Sequence, residues 1–132
     1  MIFLDASAII AMLAREDDAA SLAARLDRAG EVYTSPIAIL ESALGLARIA
    51  NTAPSAVMPV LEQFLDETGT ITLPVDAELG RAALDAFERF GKGRHPAALN
   101  LGDCCAYAYA RRLGAALLCK GHDFPRTDAI MA

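Results

Sequence analysis

Positive charge is scarce in this 132-residue sequence: 12 Lys and Arg stand against 17 Asp and Glu, for a formal net charge of -5. No global positive field advertises a polyanionic partner, so any nucleic-acid contact has to be local or mediated by metal ions. Such a contact would release few counterions, and its dependence on monovalent salt should be shallow. Long apolar runs are missing as well. Nowhere do eighteen apolar residues follow one another, which argues against a membrane span. The opening Met1-Ile-Phe-Leu-Asp5 lacks the basic segment and long apolar stretch of a secretory signal, and the expected location is the cytoplasm. Cysteines number only three, Cys104, Cys105 and Cys119. An odd count with two of them adjacent suits neither a disulfide framework nor a Cys-x-x-Cys metal knuckle, so buried reduced thiols are expected.

What the chain does have is 55% apolar residues, enough at this length to bury a core, and residues 1–132 are expected to form one domain. Ile2, Phe3 and Leu4 make a short apolar run with a polar stop at Asp5, the pattern of a central parallel strand. Helices are expected over 6–14 and from Asp18 to a stop at Gly30, then a second strand over 31–34. Ser35-Pro36 sets a capping hydroxyl before a proline at the first helical position, a strong helix start. On that helix Ile37, Leu40, Leu44 and Ala47 repeat at intervals of three and four and are expected to face the core, with Glu41 on the border of the stripe.

Further on, 55–67 reads as a helix with Val57, Val60, Leu61, Phe64 and Leu65 inward and Pro59 near its first turn. A third strand is expected over 70–73, a helix over 76–90, a loop over 91–96, a helix from Asn100 to Gly114 and a fourth strand over 115–119. Residues 129–131 are candidates for an edge strand. Tyr107 and Tyr109 are expected to pack in the core rather than stack bases. Strands separated by helices predict a three-layer α/β/α sandwich with a mainly parallel central sheet. In such sheets ligands bind beyond the carboxyl ends of the strands.

Four acids fall at that rim if the topology holds. Asp5 follows the first strand, Glu41 sits in the second turn of the helix after the second strand, Asp103 opens the helix that feeds the fourth strand, and Asp123 follows the fourth strand. Clustered carboxylates repel, and without compensation they need a cation or must take up protons. An all-oxygen set without His or Cys favours Mg²⁺ or Mn²⁺, which would orient water and stabilise charge on a scissile phosphate. Simpler roles compete: Asp5 and Asp103 could serve only as helix-start acids, Glu41 could pair with Arg48, and Asp123 could merely shape a turn. Asp128 is a possible fifth member of the set. Ser7, Lys120 and Arg126 are candidate substrate contacts, and Arg15, Lys92 and Arg94 could also approach the rim. His122 is expected to be solvated.

The segments Phe3-Leu-Asp5-Ala-Ser7-Ala, Ser35-Pro-Ile-Ala-Ile-Leu-Glu41-Ser, Asn100-Leu-Gly-Asp103-Cys-Cys-Ala-Tyr-Ala and Leu118-Cys-Lys-Gly-His-Asp-Phe-Pro-Arg-Thr-Asp128 together resemble a PIN-domain ribonuclease, specifically a VapC toxin of bacterial VapBC toxin–antitoxin modules. The resemblance spans essentially the whole chain. It implies a PIN-like fold, an endoribonuclease toxin acting on tRNA or ribosomal RNA with Mg²⁺ or Mn²⁺, a cognate VapB-type antitoxin and a homodimer. It matches Asp5 and Asp103 to the family's metal-binding aspartates, Glu41 to its central acid, and Asp123 to its fourth acid. His122 departs from the pattern, since related sequences often carry Asn or Asp there, and this leaves Asp123 and Asp128 both open as the fourth acid. Two rivals remain in view. A PIN-like binding module that has lost hydrolysis would act only through its antitoxin or RNA; a metal-dependent phosphatase of the haloacid-dehalogenase type would need a second Asp where Ser7 stands.

Overall fold

Three consecutive apolar residues form strand β1 (Ile2–Leu4), and all three are buried. Successive side chains of a strand point to opposite faces, so Phe3 enters one side of the sheet while Ile2 and Leu4 enter the other. Two apolar clusters result. Phe3 joins Leu79, Phe90, Tyr109 and Leu117 in one, and Ile2 and Leu4 join Ile9, Leu22, Val32 and Leu61 in the other. The computed structural model describes residues 1–132.

Strands β2 (Val32–Thr34), β3 (Ile71–Thr72) and β4 (Ala116–Leu118) complete a sheet of order β3-β2-β1-β4, with every pair parallel. Helices α1 (Ala6–Leu13), α2 (Ala19–Leu26), α3 (Pro36–Ala50), α4 (Pro54–Glu67), α5 (Ala77–Phe90) and α6 (Leu101–Leu113) connect them. The expected sandwich and parallel sheet are therefore present. The chain runs outward from β1 to β2 and β3, then crosses back to place β4 on the other side of β1. The reversal lies between β1 and β4, where a doubly wound sheet opens its crevice. No helix is long and apolar enough to cross a membrane.

Several local expectations need correction. Leu40 and Leu44 are 59% and 50% exposed, and α3 instead buries Ala38, Ser42, Ala43, Gly45, Leu46 and Ala47. Helix packing explains this: a Cβ on Gly45 would lie 2.5 Å from the Ile10 side chain, so α1 approaches α3 too closely for a row of leucines. On α4, Leu61 and Leu65 are buried but Val60 is 55% exposed. The helix begins at Pro54 rather than Ser55, which puts Pro59 in its second turn. Strand β3 is shorter than expected and both its residues are exposed, as suits an edge; the Leu73 N–H still reaches the Thr34 carbonyl at 2.9 Å. At the opposite edge, the Leu117 N–H donates to Ile130 and the Ala132 N–H to Leu117, giving one parallel bridge, Leu117 to Met131, in place of a full strand.

Candidate active site

Asp5 leaves the end of β1 as the N-cap of α1. Its Oδ2 accepts the Ser7 N–H at 3.0 Å and the Ser7 hydroxyl at 2.5 Å, and the Ala6 backbone N–H also favours its ionised form. Ser7 is itself held in place, because its Oγ accepts the Lys120 backbone N–H from the loop after β4. The two strands that flank the crevice are thus joined through this hydroxyl. Asp103 is set by a capping box: the Asn100 side chain accepts the Asp103 N–H at 2.9 Å, and Asp103 Oδ2 accepts the Asn100 N–H at 3.0 Å. Both aspartates therefore use one oxygen for orientation and keep the other free for a ligand. The helix-start role leaves one oxygen of each aspartate without a hydrogen bond.

Glu41 is half-buried on α3 and forms no ion pair with Arg48, so the simple pairing does not occur. Its carboxylate lies against the start of α6, in space left by Gly102. A Cβ at Gly102 would sit 2.5 Å from the Glu41 carboxyl carbon and 2.6 Å from Oε2. Gly102 escaped the sequence reading. The available signal was a glycine in the first turn of an otherwise well-capped helix, where it weakens the helix and so calls for a packing reason.

The carboxylates perturb one another's ionisation. Burial, and then the charges of Asp5 and Asp103, raise the Glu41 pKa to about 7. Asp103 is raised to about 6 by burial; the Asn100 N–H opposes the shift, and the charges of Asp5 and Asp123 add to it. Asp5, 5% exposed, is raised by burial against the hydrogen bonds from Ser7. As they stand, no three His, Cys, Asp or Glu side chains are close enough to close round one ion. The carboxylates lie within electrostatic reach of one another without touching, an arrangement like charges can hold.

Asp123 is exposed and directly precedes a 3₁₀ turn (Phe124–Arg126). Asp128 is elsewhere: its Oδ1 accepts the Tyr107 hydroxyl at 2.5 Å and its Oδ2 pairs with Arg89 at 2.9 Å. Of the candidate cations, the Lys120 ammonium pairs with Glu16 and lies 3.4 Å from Asp18, while Arg126 donates to the Pro96 carbonyl at 3.2 Å. His122 is exposed, and Tyr107 and Tyr109 are buried, as expected. All three cysteines are free. Cys119, pushed up to about 12 by burial and by the charges of Asp5, Asp103 and Asp123, stays a neutral thiol beside the acids.

A hard all-oxygen donor set with free Asp5 and Asp103 oxygens, and a glycine that makes room for the third carboxylate, fits a divalent cation. Convergence of these acids at the crevice of a parallel sheet defines a class that sequence comparison supports directly. The model of the PIN domain matches residues 2–130, and the chain belongs to the PIN-domain family.

Several relatives of this chain are named VapC ribonucleases. A VapC ribonuclease of Rhizobium meliloti (strain 1021) is 36% identical over 140 residues, covering 97% of this chain and 99% of its own length. Ribonuclease VapC36 of Mycobacterium tuberculosis (strain H37Rv) is 39% identical over 126 residues, covering 95% and 88%. Among solved structures, Mycobacterium tuberculosis VapC20, described as a toxin that cleaves the sarcin-ricin loop, superposes with a TM-score of 0.77 at 19% identity over 100% of this chain and 98% of that one. That likeness supports the fold. PIN-domain ribonucleases of the VapC type in general depend on a divalent metal.

Proposed function

We propose that this chain is the toxin of a type II toxin–antitoxin pair, an endoribonuclease that hydrolyses RNA phosphodiester bonds in a single domain over residues 1–132, with Mg²⁺ or Mn²⁺ as cofactor. One observation carries the reading: carboxylates from three distant segments, Asp5, Glu41 and Asp103, lie within each other's electrostatic reach at the crevice between β1 and β4. The VapC relatives, matched over nearly their whole length, support the same activity.

Asp5, Glu41, Asp103 and Asp123 would hold the metal. When bound, a divalent cation supplies Lewis-acid stabilisation of the phosphate and a lowered pKa for an attacking water. The chain's own contribution is orientation. Ser7 and the Asn100 capping box aim one oxygen of each aspartate before any ligand arrives, so little reorganisation is left for the reaction itself. Burial and the neighbouring carboxylates raise Glu41 to about 7, and a bound cation would favour its ionised form. Ser7 then acts on substrate through Asp5, since its hydroxyl is already engaged.

A cognate VapB-type antitoxin, an RNA substrate and a second copy of the chain are the partners this reading calls for, in the cytoplasm. The deciding experiment incubates the purified protein with RNA in Mg²⁺, Mn²⁺ or chelator and maps the fragment 5′ ends, with Asp5→Asn as the control against contaminating nucleases. Cleavage should require the metal and vanish in the variant. Cutting by Asp5→Asn at the parental rate sinks the proposal.

A further inference from the structure

The two flanks of the acidic site carry opposite charge. On the flank made by the turn between α1 and α2, Glu16, Asp17 and Asp18 outnumber Arg15, and Glu16 and Asp18 already neutralise Lys120. On the other flank lie Lys92, Arg94 and Arg126, all exposed, and none of them has a carboxylate within ion-pair distance.

The backbone that carries Lys92 is tied down, and the Arg94 and Arg126 side chains are themselves tethered. The loop between α5 and α6 is pinned at its base by the Lys92 N–H to the Leu99 carbonyl and the Leu99 N–H to the Phe90 carbonyl, both 3.0 Å. Within it, the Arg94 and His95 N–H groups turn back to the Gly91 carbonyl at 3.0 and 3.1 Å, His95 Nδ1 accepts the Ala97 N–H at 3.0 Å, and the His95 ring stands edge-on to Phe90. Arg94 donates through Nε to the Glu88 carbonyl at 3.3 Å, and Arg126 binds the Pro96 carbonyl. One anchored N–H per guanidinium leaves the remaining donors of each fork free. Along the chain the arch adjoins the acidic residues at both ends: Leu99 precedes the Asn100 cap that orients Asp103, and Arg126 closes the turn that Asp123 opens.

We propose that Lys92, Arg94 and Arg126 form a preset cationic arch that grips the phosphates of the RNA strand on the α6 side of the site, so that the strand leaves the carboxylates toward α6 and away from Lys120. The inference rests on the ribonuclease reading above. Anchored guanidinium forks match phosphate geometry and lose little further entropy on binding. An RNA strand suits the arch better than an acidic peptide because the arch is continuous with the carboxylates that would meet the scissile bond.

The test measures anisotropy of a 5′-labelled single-stranded RNA over a salt series with the full chain, comparing the parent with Lys92→Gln/Arg94→Gln/Arg126→Gln. A charge-matched control, Arg28→Gln/Arg48→Gln/Arg81→Gln, removes three exposed cations elsewhere. Each phosphate contact contributes about 0.7 to the salt slope on a single strand, so the arch variant should lose about 2 from the slope and at least about tenfold in affinity near 0.1 M salt. The control should stay within about twofold of the parent. Lys92→Gln/Arg94→Gln, which keeps Arg126, should lose about 1.4 from the slope and secures the result if the triple variant folds poorly. An unchanged slope in a parent that binds RNA overturns the arch alone, as does an equal loss in the control. A variant that binds RNA normally but escapes its antitoxin reassigns the surface to protein and also overturns it. A parent that neither binds nor cuts RNA removes the functional reading and the arch together.

Discussion

Replacing Gly102 with alanine tests whether the third carboxylate must sit where it does. The added carbon would lie 2.5 Å from the Glu41 carboxyl carbon, whereas carbon atoms in contact rest about 3.5–4.0 Å apart, so the carboxyl has to retreat by about 1 Å or more. Two effects on stability oppose each other. Alanine improves on glycine in a helix by up to about 1 kcal/mol, while overpacking costs about 1–3 kcal/mol if the neighbour cannot yield. Glu41 can yield: it is half-buried, forms no hydrogen bond or ion pair with the protein, and gains by moving away from Asp5 and Asp103. Stability should therefore stay within about 1 kcal/mol of the parent by urea unfolding. Activity should not, because a misplacement of about 1 Å in a catalytic constellation can cost on the order of a hundredfold. Initial rates of RNA cleavage at saturating Mg²⁺ read this directly. A double-mutant cycle sharpens it: once Glu41 is already alanine, Gly102→Ala should cause no further loss. If Gly102→Ala alone cleaves within about twofold of the parent, the cradle has no catalytic meaning.

Asp5→Asn and Asp103→Asn should each abolish cleavage yet raise thermal stability in the absence of metal, since each removes a charge the others repel; a lower melting temperature in both would contradict the cluster. The metal-free protein should lose stability as pH rises. Glu41 and Asp103 bind protons more tightly folded than unfolded, so their favourable contribution is complete below about pH 4 and disappears as pH passes about 6 to 7. Both groups are partly solvated, which limits the combined effect to on the order of 2 kcal/mol. Urea midpoints that stay flat or climb from pH 4.5 to 7.5, conditions roughly spanning that window, would contradict it, and added Mg²⁺ should flatten the loss. Asp128→Asn should leave cleavage intact and lower stability by less than about 1 kcal/mol, its pair with Arg89 being solvent-exposed, whereas Asp123→Asn should slow cleavage. Equal damage from both substitutions would return Asp128 to the acidic set.

The sequence was most legible where chemistry and local geometry coincide. Apolar Ile2 to Leu4 with Asp5 behind them announced a buried central strand, and the Ser35-Pro36 start announced α3, whose cap duly accepts the Ala38 N–H. Strand–helix alternation then sufficed to bring Asp5, Glu41 and Asp103 to one rim. Periodicity failed where two apolar stripes competed. On α3 the leucines looked like core, but the close approach of α1 at Gly45 selects the row of small residues, a choice made by tertiary distance that a single helix does not encode. Lys120 was misleading for a related reason: its acidic partners, Glu16 and Asp18, lie about a hundred residues earlier. Gly102 went unread because its reason is a side chain from another helix.

The hydrogen bonds that aim Asp5 and Asp103 span two and three residues of chain. Each acid is therefore aimed largely by its own neighbours in the chain, with the Lys120 N–H on Ser7 as the one long-range tie, and the fold has to bring two helix openings near each other. Core substitutions that leave the mutual pose of those openings and the Gly102 cradle unchanged should therefore spare the aim of both aspartates.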